Sequence, residues 1–176
     1  MTGEPQPDPA DLAATLPSDS GTVTEFLEHL AGEPIDADVV SQHTGPADHD
    51  GSLGLPPHRV LLRRAVVLTG RVTRRRFVYA ESAIAADRLP PLVRRRLENS
   101  NDPIGRVLVD HHLHIRREEL AGPVAPSDID DDIVALLRAS ALSRRYRLVV
   151  GGSPAMVVSE WFLPAAAHAL ATQPGG

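Results

Sequence analysis

One stretch near the C-terminus constrains the fold of this chain more than any other, the segment SRRYRLVVGGSPAMVVSEWFLP at residues 143–164. Two runs rich in β-branched and aromatic residues, 146–150 and 155–163, lie on either side of Gly151-Gly152. Such runs joined by a glycine pair are typical of a β-hairpin. The sequence therefore predicts that the chain contains an antiparallel β-sheet.

Glu160 is the residue of this hairpin that calls for an explanation. Side chains alternate between the two faces of a strand, so Glu160 shares a face with Met156, Val158 and Phe162. A carboxylate on an apolar face costs free energy unless another group pairs with it or its function requires it. Glu160 is therefore the first candidate for a functional residue.

Arg64 poses the same problem on a second predicted strand, at residues 58–69. It shares a face with four large apolar side chains, those of Val60, Leu62, Val66 and Leu68. In one interpretation, Arg64 and Glu160 reach solvent at sheet edges or form a structural salt bridge with each other. In the other, both face a ligand cavity. There Arg64 would bind a carboxylate through two hydrogen bonds, and Glu160 would accept a hydrogen bond or exchange a proton.

The remaining elements indicate an α+β fold in which helices are inserted between antiparallel strands. Further strands are predicted at residues 34–42, 77–85 and 111–117, and helices at 9–16, 22–31, 87–98, 104–108 and 127–139. Residues 43–57 are predicted to form a polar loop rich in Gly and Pro that could be mobile, and residues 165–176 a fading Ala-rich tail. We expect a disordered leader at residues 1–10, one domain at 11–170 and a flexible tail at 171–176.

Composition excludes several classes of function. The chain has no cysteine, which rules out disulfides, thiolate nucleophiles and cysteine-ligated zinc. Its 18 basic residues are all arginine and its net charge is −5, which argues against a nucleic-acid partner. No apolar run reaches the ~20 residues of a membrane span. These features predict a cytoplasmic protein without a membrane or nucleic-acid partner.

Three local clusters have simpler explanations than a binding site. His111, His112 and His114 lack the spacing of a zinc hydrolase, so a solvated loop or strand is favoured and no metal site is predicted. The acidic run at residues 128–132 suits a helix N-terminus. The arginine triplets at residues 74–76 and 94–96 lack interleaved aromatic residues, which favours solvated faces.

Three motifs resemble one known family, the chorismate pyruvate-lyases that make 4-hydroxybenzoate, and in particular its actinobacterial branch. They are VLLRRAVVLTG, YAESAIAADRLPPLVRRRLENSNDPIGRVL and the hairpin segment SRRYRLVVGGSPAMVVSEWFLP, in the same order and at similar spacing. The resemblance spans about residues 20–164, with weak patches at 33–57 and 120–140. It implies a chorismate lyase-like fold, an antiparallel sheet with helices packed on it and an enclosed ligand cavity.

The resemblance also implies a set of substrate-binding residues. The arginine of the family falls on Arg64, or on Arg63 if the register slips by one, and its glutamate falls on Glu160. Two main-chain contacts fall on Ile104, in Pro103-Ile104-Gly105-Arg106, and on Val23. Arg64 and Glu160 would be the catalytic pair.

The implied reaction is elimination of pyruvate from chorismate to give 4-hydroxybenzoate, for secondary metabolism or glycolipid biosynthesis. Aromatisation of the ring drives it, so no cofactor or metal is expected. We expect chorismate as the partner molecule and a monomer or weak dimer. The alternative is a non-catalytic domain that binds an aromatic carboxylate, since a related sheet serves as the effector domain of some transcription regulators.

Overall fold

The computed structural model describes residues 9–17, 21–47, 51–121, 125–126, 129–140 and 142–172. They form a six-stranded antiparallel sheet in the order β1-β2-β3-β6-β5-β4. The strands are β1 Ile35–Pro46, β2 Val60–Gly70, β3 Arg76–Ile84, β4 Ile115–Glu119, β5 Leu142–Val150 and β6 Ser153–Phe162. The helices are α1 Pro9–Thr15, α2 Val23–Ala31, α3 Pro91–Asn99, α4 Ile104–Asp110, α5 Asp131–Arg138 and α6 Pro164–Ala171, with a 3-10 turn at Ala86–Arg88. The predicted α+β class is confirmed.

Both faces of the sheet are covered. On one face, alternate residues of the central strands pack against α2, α3, α4 and α6; buried examples are Val66, Val78, Met156 and Phe162. On the other face, the intervening residues pack against α5 and the segment around Leu53. The first face carries the candidate site. None of the helices in the described part of the chain is long and apolar enough to cross a membrane.

The predicted C-terminal hairpin is confirmed and is longer than expected. Gly151 and Gly152 have φ angles of 57° and 85°, the left-handed conformation that a tight two-residue turn requires and that glycine adopts without strain. A β-bulge follows the turn, because Leu148 pairs with Met156 whereas Val149 pairs with Pro154. This shift decides which side chains of β5 lie beside those of β6.

A capping box fixes the start of α2. The Thr22 hydroxyl accepts a hydrogen bond from the Glu25 amide, and the Glu25 carboxylate accepts one from the Thr22 amide. Gly32 ends the helix in the left-handed conformation, with φ at 67°. The predicted helix and its stop are both confirmed, and Val23 becomes the first helical residue.

Three predicted elements have wrong boundaries, the first two for reasons of backbone chemistry. The helix expected at residues 87–98 is divided, because Leu89 takes an extended conformation before two consecutive prolines. The strand expected at 111–117 begins only at Ile115, since His111 and His112 form a turn in which His112 has a φ of 52°. The helix expected at 127–139 is shorter, with Asp130 as its cap.

Two segments are more ordered than predicted. β1 continues to Pro46, so the loop expected at 43–57 begins only after this residue. Within the loop, Ala47 and Leu53 are buried. Residues 48–50 lie outside the described residues. The first part of the expected Ala-rich tail forms α6, which ends at Ala171. Proline stands at the start of this helix, alanine has a high helix propensity, and Ala166 and Ala167 are buried. The leader predicted at 1–10 lies almost wholly outside the described residues.

Candidate active site

A cavity lies between the sheet and the N-terminal ends of α2 and α4. It contains about 530 Å³ of space not filled by protein atoms, a volume that includes space open to solvent. Most of its wall is apolar, and polar groups converge on it from four of the strands and from α2. The polar side chains are those of Thr22, Thr24, Ser82, Arg117, Tyr146 and Glu160.

Glu160 lies in the wall of this cavity and is 3% exposed. Its Oε1 accepts a hydrogen bond of 2.7 Å from the Tyr146 hydroxyl, and its Oε2 accepts one of 2.8 Å from Nε of Arg144. Both oxygens are therefore oriented by donors from β5.

The two hydrogen-bond partners of Glu160, Tyr146 and Arg144, both have raised pKa values. Burial, together with the negative charge of Glu160, raises the pKa of Tyr146 well above its ordinary value, so Tyr146 stays a neutral donor. Burial is the largest single effect and lowers the pKa of Arg144, but the charges of Glu160, Tyr146 and Glu119 and the hydrogen bond to Glu160 together outweigh burial, so the net pKa is raised. The cluster thus consists of a neutral phenol, a guanidinium and a carboxylate.

Arg117 adds a second buried cation at this end of the cavity. It is 8% exposed, lines the cavity, and places its guanidinium carbon 4.5 Å from the centroid of the Tyr146 ring. Its Nη1 and Nη2 donate to the carbonyl oxygens of Pro17 and Gly21. Arg144 also donates to the Pro17 carbonyl, at 3.0 Å, and its guanidinium carbon lies 5.0 Å from the same ring.

Arg64 is buried at the opposite side of the site, with 2% exposure. Its cross-strand partner Ser82 lines the cavity, as do Val66 and Leu68, which follow Arg64 on the same face of β2. Nη2 donates to the Ser100 carbonyl at 3.3 Å, while Nε and Nη1 have no hydrogen-bond partner among the described residues. Burial lowers the pKa of Arg64, partly offset by Asp102.

Val23 and Ile104 line the cavity as the first residues of α2 and α4. Main-chain N–H groups in the first turn of a helix have no acceptor within that helix. The two helix starts approach each other closely at Gly105, where an added Cβ atom would lie 2.7 Å from Cβ of Thr22. Glycine at this position is what allows both helix ends to reach the cavity.

Three of the four predicted site residues, Val23, Ile104 and Glu160, line one cavity; Arg64 does not line it, but its cross-strand partner Ser82 does. The direct salt bridge between Arg64 and Glu160 that one interpretation allowed is not formed, since Arg144 is the cation paired with Glu160. No prediction included Arg144, Tyr146 or Arg117. Within the described ranges, no three histidine, aspartate or glutamate side chains are grouped so as to hold a metal ion.

The β-bulge explains why the partners of Glu160 were missed. In an unbroken two-residue hairpin Glu160 would lie opposite Ser143, with Arg144 on the other face. The bulge advances the register by one residue, so Glu160 pairs with Arg144, and Tyr146 lies two residues further along the same face. The one usable signal in the sequence was the alternation of Tyr146, Leu148 and Val150, which marks the apolar face of β5.

Comparison with solved structures defines the class of fold. PhnF from Mycobacterium smegmatis superposes with a TM-score of 0.56 at 20% sequence identity, covering 82% of this chain and 64% of PhnF. The effector domain of PhnF alone gives a TM-score of 0.53 at 18% identity, covering 81% of this chain and 88% of that domain. The protein therefore shares the fold of this regulator effector domain.

Comparison of sequences identifies the family. The model of the family described as "Chorismate pyruvate-lyase Rv2949c-like" matches residues 16–170, and the chain belongs to this family. The chorismate pyruvate-lyase of Mycobacterium tuberculosis is 35% identical over 159 residues, which cover 82% of this chain and 75% of that protein. The chorismate pyruvate-lyase of Mycobacterium leprae is 29% identical over 155 residues, covering 84% and 72%. The family resemblance stated from the motifs is confirmed.

Proposed function

We propose that this protein is a chorismate pyruvate-lyase, which converts chorismate into 4-hydroxybenzoate and pyruvate. Membership in the family supports the reaction, and one observation of the site carries it. The carboxylate of Glu160 lines a mostly apolar cavity, and a buried arginine with unused donors, Arg64, lies across from the lining residue Ser82 on the neighbouring strand. This arrangement suits a flat ring with a carboxylate at C1 and a hydroxyl at C4.

Each end of the ring has a matching group. Arg64 anchors the ring carboxylate through Nε and Nη1, and the amides at the starts of α2 and α4, at Val23 and Ile104, add main-chain donors. Glu160 accepts a hydrogen bond from the hydroxyl at C4, because each carboxylate oxygen can accept more than one hydrogen bond. The apolar wall excludes water from the ring between them.

The reaction breaks the C3–O bond and removes the hydrogen at C4. The ring becomes aromatic, and the departing enolpyruvyl group gains a proton at its methylene carbon to become pyruvate. In one route Glu160 assists the proton transfer; in the other the C4 hydrogen passes directly to the methylene carbon. We favour the second route. The hydrogen bonds from Arg144 and Tyr146 fix the Glu160 carboxylate, which suits a role in orienting the substrate by accepting a hydrogen bond from its C4 hydroxyl.

The test is direct. Purified protein is incubated with chorismate, pyruvate is followed with lactate dehydrogenase, and 4-hydroxybenzoate is measured by chromatography. We expect the two products in equal amounts and no requirement for added metal or cofactor. Folded protein that releases no pyruvate would overturn the proposal and favour a domain that only binds an aromatic carboxylate.

Glu160→Gln tests the site within the same assay. The variant keeps the shape of the side chain but leaves the buried Arg144 without its counter-charge, and it weakens the acceptor for the C4 hydroxyl. We expect a loss of activity on the order of 100-fold, as for removal of one well-placed electrostatic contact. Glu118→Gln, on the edge strand β4 and partly exposed, is the matched control and should retain activity.

A further inference from the structure

The hydroxyl groups that line the cavity differ in whether the protein already uses them. The Thr22 hydroxyl caps α2, and the Tyr146 hydroxyl donates to Glu160. The hydroxyls of Thr24 and Ser82 have no hydrogen-bond partner among the described residues, although both residues are buried and line the cavity. Buried hydroxyls are nearly always hydrogen-bonded, so a hydroxyl that faces a cavity without a partner points to a ligand.

Of these two residues, Ser82 is the one that lies in the sheet between the charged residues of the proposed site. On β3 it is the cross-strand partner of Arg64 on β2, and on its other side it pairs with Val158 on β6. Glu160 lies two residues beyond Val158 and therefore on the same face of the sheet. Ser82 is thus a direct neighbour of Arg64 and a diagonal neighbour of Glu160.

Small side chains on β3 leave room for a ligand at this position. Ala80 and Ser82 both line the cavity, between larger apolar side chains of β2 and β6. Arg64 on β2 and Glu160 on β6 are two strand spacings apart, roughly 10 Å, so a ligand that reaches both must lie over β3. Such a ligand has the Ser82 hydroxyl beneath it, close to the end that approaches Arg64.

Ser82 and Arg64 are neighbours across the β2–β3 pair but are not hydrogen-bonded to each other. Nε and Nη1 of Arg64 are buried and have no hydrogen-bond partner among the described residues. Because Arg64 does not itself line the cavity, Ser82 is the polar side chain that lines it beside Arg64. A carboxylate bound at this point would accept one hydrogen bond from the hydroxyl and another from the guanidinium.

We propose that Ser82 is a substrate-binding residue whose hydroxyl donates a hydrogen bond to the ring carboxylate, beside Arg64. This inference rests on the proposed lyase function, which assigns that carboxylate to Arg64. The ring carboxylate is present in both chorismate and 4-hydroxybenzoate and takes no part in bond breaking. Ser82 therefore binds substrate, transition state and product alike, and it contributes to affinity and to selection of a carboxylate at C1 while leaving the chemical step unchanged.

The experiment compares ligands with and without the carboxylate by isothermal titration calorimetry. The probes are 4-hydroxybenzoate and 4-methylphenol, which keeps the ring and the hydroxyl but has a methyl group in place of the carboxylate. Ser82→Ala removes the hydroxyl with little change in volume. For this variant we expect 4-hydroxybenzoate to bind on the order of 10-fold more weakly, with the affinity for 4-methylphenol changed less than about twofold. Ser159→Ala is the matched control, since Ser159 lies on the other face of the sheet opposite Glu81, and it should weaken neither ligand.

Kinetics with chorismate give a second readout. Ser82→Ala should raise KM on the order of 10-fold and change kcat less than about twofold, because the contact is the same before and during the reaction. A fall in kcat at unchanged KM would overturn the assignment of Ser82 to the ring carboxylate.

The binding data separate this inference from the lyase function. Retained binding of 4-methylphenol shows that the variant is folded. Unchanged affinity of Ser82→Ala for 4-hydroxybenzoate would overturn the role of Ser82, and so would an equal loss for both ligands or the lack of any preference for the acid in the unchanged protein. A preference for the acid that depends on Ser82, in a protein that releases no pyruvate, would support the contact and refute the lyase reaction.

Discussion

The hydroxyl of Tyr146 donates a 2.7 Å hydrogen bond to Oε1 of Glu160 across the β5–β6 pair, and both side chains lie in the wall of the same cavity. The phenol is the donor because its raised pKa keeps it neutral. One oxygen of the carboxylate is therefore positioned by an uncharged group, and the other by Arg144. With one donor on each oxygen, the Glu160 carboxylate is held in a single orientation in the cavity wall.

Tyr146→Phe tests that orientation. The substitution removes the hydroxyl that donates to Oε1 of the buried Glu160 carboxylate. We expect a loss of about 1–3 kcal/mol in the free energy of unfolding and a fall in kcat on the order of 10-fold. Urea unfolding and steady-state kinetics measure the two effects. Unchanged values of both would show that Arg144 alone positions Glu160.

The matched variants Arg64→Gln and Arg63→Gln test which of these two adjacent arginines binds the ring carboxylate. Arg64 is buried with unused donors, whereas Arg63 is on the other face, less buried, and donates to the Pro46 carbonyl. We expect Arg64→Gln to reduce kcat/KM on the order of 100-fold, as for loss of a bidentate contact to a carboxylate. Arg63→Gln should retain nearly full kcat/KM. The reverse ranking would assign the carboxylate contact to Arg63.

Gly105→Ala tests the close approach of α2 and α4. A Cβ atom at this position would lie 2.9 Å from Oγ1 of Thr22 and of Thr24, as well as 2.7 Å from Cβ of Thr22. Alanine improves helix propensity by about 1 kcal/mol, but overpacking against a capping residue costs about 1–3 kcal/mol, so the variant should be destabilised. Affinity for 4-hydroxybenzoate should fall as well, because both helix starts line the cavity.

Gly45→Ala is the control for that substitution. An added Cβ there would meet only Nε and Cδ of the Arg63 side chain, at 3.1 and 3.2 Å, and a long side chain can move aside. Denaturant unfolding should give a near-unchanged free energy for this variant. If Gly105→Ala were as stable and bound as well as the control, α4 would not be held by its contact with α2.

Alkaline titration tests the environment of the two tyrosines of the chain, Tyr79 and Tyr146. Burial raises the pKa of each above the ordinary value of 10.0, and the neighbouring carboxylates of Glu81 and Glu160 raise it further. The unfolded chain therefore loses protons at a pH where the folded protein retains them, so stability should fall as the pH rises above 10.0. Tyrosinate absorbance should appear together with unfolding. A tyrosine that ionises near pH 10.0 in folded protein would contradict this expectation.

The proposed binding mode predicts inhibition by the product. In that mode, 4-hydroxybenzoate would keep its contacts to Arg64 and Glu160 after pyruvate has left, in a cavity whose wall is mostly apolar. Release should therefore be slow, and added 4-hydroxybenzoate should lower the steady-state rate in competition with chorismate. Equal rates with and without it would show that the product leaves freely.

Side-chain alternation was sufficient to predict most of the sheet and to single out two buried charged residues. Arg64 and Glu160 stood out because each is a charge on an otherwise apolar face, and both are buried in the structure. The hairpin followed from the glycine pair, and α2 from its cap and its apolar spacing. These features depend on neighbours in sequence, which is why they could be read without a structure.

The other half of the site depends on contacts that sequence does not reveal. Arg144 and Tyr146 meet Glu160 only because a bulge shifts the register of β5 by one residue. Arg117 reaches the cavity from the edge strand β4, held by carbonyls of the α1–α2 connection. In a chain whose basic residues are all arginine, composition offered no reason to single these three out.

The strand order has a consequence for how the protein reaches its active form. The two halves of the sheet join where β3, which ends at Ile84, pairs with β6, which begins at Ser153. Closing so long a loop is slow, and pairing between strands distant in sequence limits the rate of folding. Arg64 and Glu160 lie on opposite sides of this junction, so the ability to bind 4-hydroxybenzoate should be regained only in the last phase of refolding, after most of the helix signal has returned.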